Sequence, residues 1–169
     1  MNFHRRPSAL HPTPRRAVGG RVSAWVVLTA LAFAVWCLAS VPAFAQAPPE
    51  DAYQIVVHPQ NPTVTMGREL MSQTFLKKVA TWSHGGVVRP ADLPPSSAVR
   101  KRFSTEVLGR SVSAVRSYWL QVIFAGRGAP PPELKSDEEV IRFVLSEPGA
   151  IGYVSSRADL RGAHVVVVR

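Results

Sequence analysis

Few side chains in this 169-residue chain have types and spacings that suggest chemistry, and most of them fall in one short stretch, Asp92-Leu93-Pro94-Pro95-Ser96-Ser97-Ala98-Val99-Arg100. Serines just ahead of a helix usually cap it by accepting a first-turn amide. The same helix end keeps other N–H groups free, and these together with the helix dipole form a site for phosphate or sulfate. Arg100, Lys101 and Arg102 sharpen the choice. Cations in a first turn oppose the dipole by roughly 0.3–1 kcal/mol each, so something must offset them. One offset is structural: Asp92 ahead of the helix, and Glu106 four residues after Arg102, a pairing worth roughly 0.2–0.5 kcal/mol. The other is an anion seated on the helix end, which Arg100 is best placed to reach. Ser96 and Ser97 are therefore read both as caps and as anion ligands.

Other chemistries find little support. His58, His84 and His164 are scattered, with no H-E-x-x-H or similar metal-ligand spacing. No G-x-S-x-G elbow, P-loop or G-x-G-x-x-G is present, and Gly126-Arg127-Gly128 is a loop fragment. Trp82, Tyr118, Trp119 and Tyr153 read as core or cleft wall. The expectation is a protein that is not an enzyme and has no cofactor and no metal.

The first 45 residues carry five arginines and no acid. A basic leader, an apolar run from about Val22 to Ala39, Pro42 and then Ala43-Phe44-Ala45 follow in the order of a secretory signal peptide cleaved after Ala45. An uncleaved anchor is the alternative, because an apolar run of roughly 18 residues is just long enough to span a bilayer. Arg15-Arg16 and Cys37 support neither a twin-arginine route nor a lipoprotein. Once the leader's arginines are set aside, the formal charge falls from +9 to +4, with fifteen bases against eleven acids. That modest charge, export and the lack of aromatic interleaving around the basic run argue against a nucleic-acid partner. The exported part holds no cysteine, so disulfides and thiolate metal sites are excluded.

These readings predict a signal peptide over 1–45, a linker over 46–52 and one α/β domain over 53–169. Tyr53 to Val57 reads as a buried strand. A helix is predicted from about Gly67 to Lys78, with Leu70, Met71, Phe75 and Leu76 on its apolar side. Val87 to Arg89 can form a short strand. Ala98 to Leu108 reads as a helix burying Val99, Phe103 and Val107, with Gly109 as its stop. Val112 to Phe124 is a second helix, capped by Ser111 and striped by Val115, Tyr118, Trp119 and Val122. Ser136 and Glu139 form a capping box for a third, which Pro148-Gly149 ends. Ala150 to Val154 and Val165 to Val168 are strands. Interleaved strands and helices imply a sheet that is at least partly parallel.

The order Phe75-Leu76-Lys77-Lys78, Trp82, the Asp92 to Phe103 segment and Pro148-Gly149-Ala150-Ile151-Gly152-Tyr153-Val154 resembles the phosphate-type substrate-binding proteins of ABC transporters over about Tyr53 to Ser155. The resemblance implies a periplasmic-binding-protein-like (type II) single lobe, a mixed sheet flanked by helices, exported to the periplasm or secreted. The family has two lobes, and this chain matches mainly the second. Where the family reads R-x-D-G-S-G-T, Asp92 matches the aspartate and Ser97 can match the serine. Pro90 stands at the arginine position, and Ala98 and Val99 replace the glycine and threonine. The implied ligand is phosphate or a similar small oxyanion, held by Asp92, Ser96, Ser97 and Arg100. In the family the aspartate accepts a proton from that ligand, and loss of its arginine partner weakens the expected selectivity. An ABC permease or another envelope protein is the implied partner. The alternative is an envelope interaction domain that kept the fold and lost the ligand.

Overall fold

The computed structural model describes residues 49–169. The predicted signal peptide, its cleavage site and the first linker residues lie outside the described residues. Five strands form one mixed sheet: β1 (Tyr53–Val57), β2 (Thr65–Met66), β3 (Arg89–Pro90), β4 (Ala150–Ser155) and β5 (His164–Val168). Their spatial order is β2-β5-β1-β4-β3. At the centre β1 runs antiparallel to both neighbours, with Ile55 opposite Tyr153 on one side and Val166 on the other. The outer pairs β3–β4 and β2–β5 are parallel. Four helices among the described residues flank it: α1 (Arg68–Phe75), α2 (Ala98–Glu106), α3 (Val112–Phe124) and α4 (Asp137–Ser146).

Successive residues of a strand point to opposite faces, and β4 uses this to bind two layers. At Gly152 the sheet meets α4 so closely that a Cβ there would lie 2.5 Å from Val140 Cγ1. One residue on, Tyr153 is fully buried on the opposite face. Its ring stacks on Phe103 of α2 at 3.8 Å between centroids, and Phe75 of α1 closes the cluster at 4.7 Å from Phe103. The position of α2 is therefore fixed by an aromatic contact with the central part of the sheet.

The helix caps form as expected. Ser97, Ser111 and Ser136 accept the amides of Arg100, Ala114 and Glu139. Glu139 reaches back to the amide of Lys135 at 2.7 Å, one residue before the cap, so the capping box is closed one position early. Several details differ from the sequence reading. α1 ends at Phe75, and Leu70 is 45% exposed while Thr74 is buried in its place. The hydroxyl of Thr74 donates to the Leu70 carbonyl, so burying it leaves no unmet polar group. Lys77 takes a left-handed conformation (φ 53°), and Lys78 N–H donates to Gln73 O at 2.8 Å, closing the helix end without a glycine. β3 forms at Arg89–Pro90, later than expected, and the two-residue β2 has no signal of its own in the sequence.

Gly149 and Gly152 hold their positions for want of space. A Cβ at Gly149 would fall 2.0 Å from the backbone oxygen of Val87, which cannot move without disturbing the neighbouring strand connection. Gly149→Ala and Gly152→Ala are each expected to destabilise the domain by about 1–3 kcal/mol, as overpacking does. Urea unfolding should show this as a lower midpoint at unchanged slope.

Candidate ligand site

β3 ends at Pro90, two residues before Asp92, which anchors a buried polar cluster. Asp92 is fixed on both sides by backbone: its N–H donates to Pro132 O at 2.9 Å and its carbonyl accepts from Leu134 N–H at 2.8 Å. Its side chain is thereby directed at the start of α2. There Nη1 of Arg100 lies 2.6 Å from Asp92 Oδ1 and 2.5 Å from Leu93 O. Tyr153 donates its hydroxyl to the same carboxylate oxygen, and Leu93 N–H donates to it at 3.0 Å. Asp92 is 7% exposed and Arg100 only 4%. Asp92 is thus paired with an arginine from the first turn of α2, while proline stands at position 90. Arg100 comes from the helix behind the loop instead of the strand before it.

The electrostatics follow from that burial. Desolvation pushes the Asp92 carboxyl above its ordinary value, while Arg100, the Tyr153 hydroxyl and the Leu93 amide pull it back. Burial and the neighbouring carboxylate push the Tyr153 hydroxyl far up, so it remains a donor. Every hydrogen bond recorded on the carboxylate lands on Oδ1, which leaves Oδ2 as an open acceptor. Arg100 Nε is buried with no hydrogen-bond partner among the described residues.

Both side chains line a cavity of ≈ 500 Å³. Its other walls are Pro95, the turn at Pro130, Pro131 and Glu133, and one face of α3. That face presents Val112, Arg116, Trp119, Leu120 and Ile123, which recur at helical spacing, with Ser113 beside them. Arg116 is exposed and has no ion pair or hydrogen bond among the described residues. Sequence reading passed over Arg116 and Glu133. An arginine within an otherwise apolar i, i+4, i+7, i+8, i+11 row was the available signal for the first, whereas nothing local marked Glu133.

The serines sit differently. Ser97 is half-buried and its Oγ accepts the Arg100 amide at 3.3 Å, so its capping role is filled. Ser96 is exposed. Neither lines the cavity. The amides of Ala98 and Val99, the first two of α2, keep the free donors that every helix start leaves. Among the described residues no group of three or more His, Cys, Asp and Glu side chains could hold a metal ion. No helix among them is long and apolar enough to cross a membrane.

No protein-family model and no curated protein matches the chain. Solved structures do. An ABC-type phosphate transport receptor from Vibrio cholerae matches at a TM-score of 0.55 and 18% identity, over 69% of this chain and 46% of that one. A protein named PstS from Borrelia burgdorferi matches at 0.54 and 13%, over 70% of this chain and 47% of that one. A possible phosphate binding protein from Planctomyces limnophilus matches at 0.51 and 14%, over 70% and 41%. This chain therefore has a periplasmic-binding-protein-like α/β fold, and it spans less than half the length of the structures it matches.

The buried pair makes a direct prediction. Removing one partner of such a pair leaves an uncompensated buried charge and costs about 3–5 kcal/mol, whereas replacing both by apolar groups is often close to neutral. Arg100→Met should therefore destabilise strongly, and Asp92→Leu with Arg100→Met together should recover most of the loss in a double-mutant cycle by urea unfolding. Linkage gives the pH dependence. A carboxyl raised in the folded state adds stability below its unfolded value, and that contribution is lost as pH rises through the folded value. The stability advantage over Asp92→Asn, which cannot ionise, should therefore shrink as pH rises above about 4, the ordinary value of an aspartate.

Proposed function

We propose that this chain is an exported solute-binding module that holds a small oxyanion, phosphate or a close analogue, at the start of α2. The observation that carries the reading is the desolvated Arg100–Asp92 pair, which opens on a cavity whose rim bears the unpaired Arg116. The fold likeness to phosphate receptors supports it. In this reading Arg100 and Arg116 meet the negative oxygens. Asp92 accepts a proton from the ligand through Oδ2, as the sequence resemblance implies. Ser96 and Ser97, which lie outside the cavity lining, contribute by holding the start of α2, Ser97 through its cap on the Arg100 amide. The leader, if cleaved after Ala45, delivers residues 46–169 to the periplasm or the medium, where an ABC permease or another envelope protein receives the loaded module. The chemistry is binding without turnover.

One feature favours a second reading as an interaction domain. Phe124 is 85% exposed, next to the half-exposed Leu120 and Ile123, an apolar ridge of the kind that marks protein contacts.

Calorimetry with inorganic phosphate and sulfate at up to about 10 mM tests the first reading, since about 4.1 kcal/mol corresponds to a millimolar constant. Phosphate should bind, and Arg116→Gln should weaken it about tenfold, the loss of one charge-assisted contact. No heat and no thermal shift with either anion would leave the interaction-domain reading in possession.

A further inference from the structure

The cavity beside the buried pair is far larger and more apolar than an inorganic oxyanion requires. At ≈ 500 Å³ it falls in the range of roughly 300–1,000 Å³ that encloses a drug-sized organic ligand. Phosphate, with one phosphorus and four oxygens, would occupy only the end formed by Asp92 and Arg100. Most of the remaining lining is hydrocarbon: Trp119, Leu120, Ile123 and Pro131 contribute apolar surface, with Ser113, Arg116 and Glu133 as the other polar residues. Polar groups confined to one end of an apolar cleft fix the orientation of an amphipathic ligand.

The polar end narrows the ligand further. Its guanidinium is nine-tenths buried or more, held by Leu93 O and Asp92 with Nε unpartnered, and the facing carboxylate keeps one oxygen open. Asp92 and Arg100 cancel each other's charge, and Arg116 and Glu133, unpaired among the described residues, bring the formal charge of the lining to zero. A cavity with no net charge gives little long-range attraction to a small, strongly hydrated dianion. A ligand with fewer charges and an apolar body draws on the hydrocarbon walls instead.

Resting on the oxyanion reading, we infer that the cavity takes an organic phosphate monoester, with the phosphoryl group on Arg100 and Asp92 and an apolar substituent between α3 and the Pro130–Pro131 turn. The ester's P–OH donates to Asp92 Oδ2 and its negative oxygens face Arg100 and Arg116. Trp119 forms the inner wall, and Leu120 and Ile123 close the outer one. Neither outer residue is needed for folding, since each is more than 40% exposed.

Titration of the full chain with phenyl phosphate and with inorganic phosphate, each followed by calorimetry, tests the inference. Phenyl phosphate should bind about tenfold tighter or more, the gain expected from burying a ring. Leu120→Asn and Ile123→Asn should each narrow the ratio of the two affinities severalfold. Phenyl phosphate binding no tighter than phosphate, with phosphate bound, overturns the inference and leaves the oxyanion reading standing. A tenfold preference that both variants leave intact puts the ring elsewhere and overturns it too. If neither ligand binds, the oxyanion reading fails and the inference fails with it.

Discussion

The contact on which the rest of the domain depends is the cluster of Asp92, Arg100 and Tyr153. It joins three elements distant in sequence: the loop after β3, the first turn of α2 and the middle of β4. Moving two opposite charges out of water costs several kcal/mol per ion, and only close geometry with further hydrogen bonds repays it. Here the repayment is visible. One carboxylate oxygen receives a guanidinium, a hydroxyl and an amide, while the guanidinium also reaches a carbonyl. Tyr153 belongs at once to this polar cluster and to the aromatic stack with Phe103 and Phe75. Shifting α2 along the sheet would break both together, so polar and apolar packing specify the same position.

The three bases at the start of α2 are resolved one at a time by the same logic. Arg100 turns inward and is neutralised by Asp92. Arg102 turns outward and bridges Asp51 at 2.9 Å and Glu106 at 2.8 Å. Lys101 stays in solvent. Glu106 gathers further partners at the other end of the helix: Tyr53 donates its hydroxyl to the carboxylate, and Arg68 donates to the backbone carbonyl. Burial and the bond to Glu106 push the Tyr53 hydroxyl up to about 12. Cations that oppose the dipole of α2 are thus offset within the fold before any ligand arrives. The charge run therefore does not by itself demand an anion.

Much of the architecture was legible because its signals are local. A β-branched run gave β1, serines before apolar rows gave three helix starts, and Pro148-Gly149 marked the end of α4. What escaped was set by distant residues. Leu70 lies on the apolar side of an ideal helical wheel, yet the core against α1 is already filled by Met71, Thr74 and Phe75. β2 exists because β5 offers it two residues of parallel pairing. At the site, Asp92 and Arg100 were both singled out, yet their pairing was read only as one of two offsets. Nothing local shows that Arg100 turns back over Leu93, because that depends on where Phe103 is held by Tyr153. Arg116 was missed because it looks like a surface base until the Pro130–Pro131 turn folds over the same face of α3.

For the oxyanion reading proposed above, a neutral buried pair is an unusual foundation, and its consequence would lie in selectivity more than in affinity. In that reading, with Arg100 already matched by Asp92, net attraction for an incoming anion would come mainly from Arg116, which is exposed and screened by salt. The carboxylate then acts as a filter. An oxyanion that brings a proton gives Asp92 Oδ2 a donor, while a fully deprotonated one faces a negative oxygen across a low-dielectric gap. Burial strengthens that repulsion just as it strengthens the Arg100 contact. Desolvation would therefore serve two ends under the proposed reading: it locks α2 to the sheet, and it would make the cavity discriminate by protonation state.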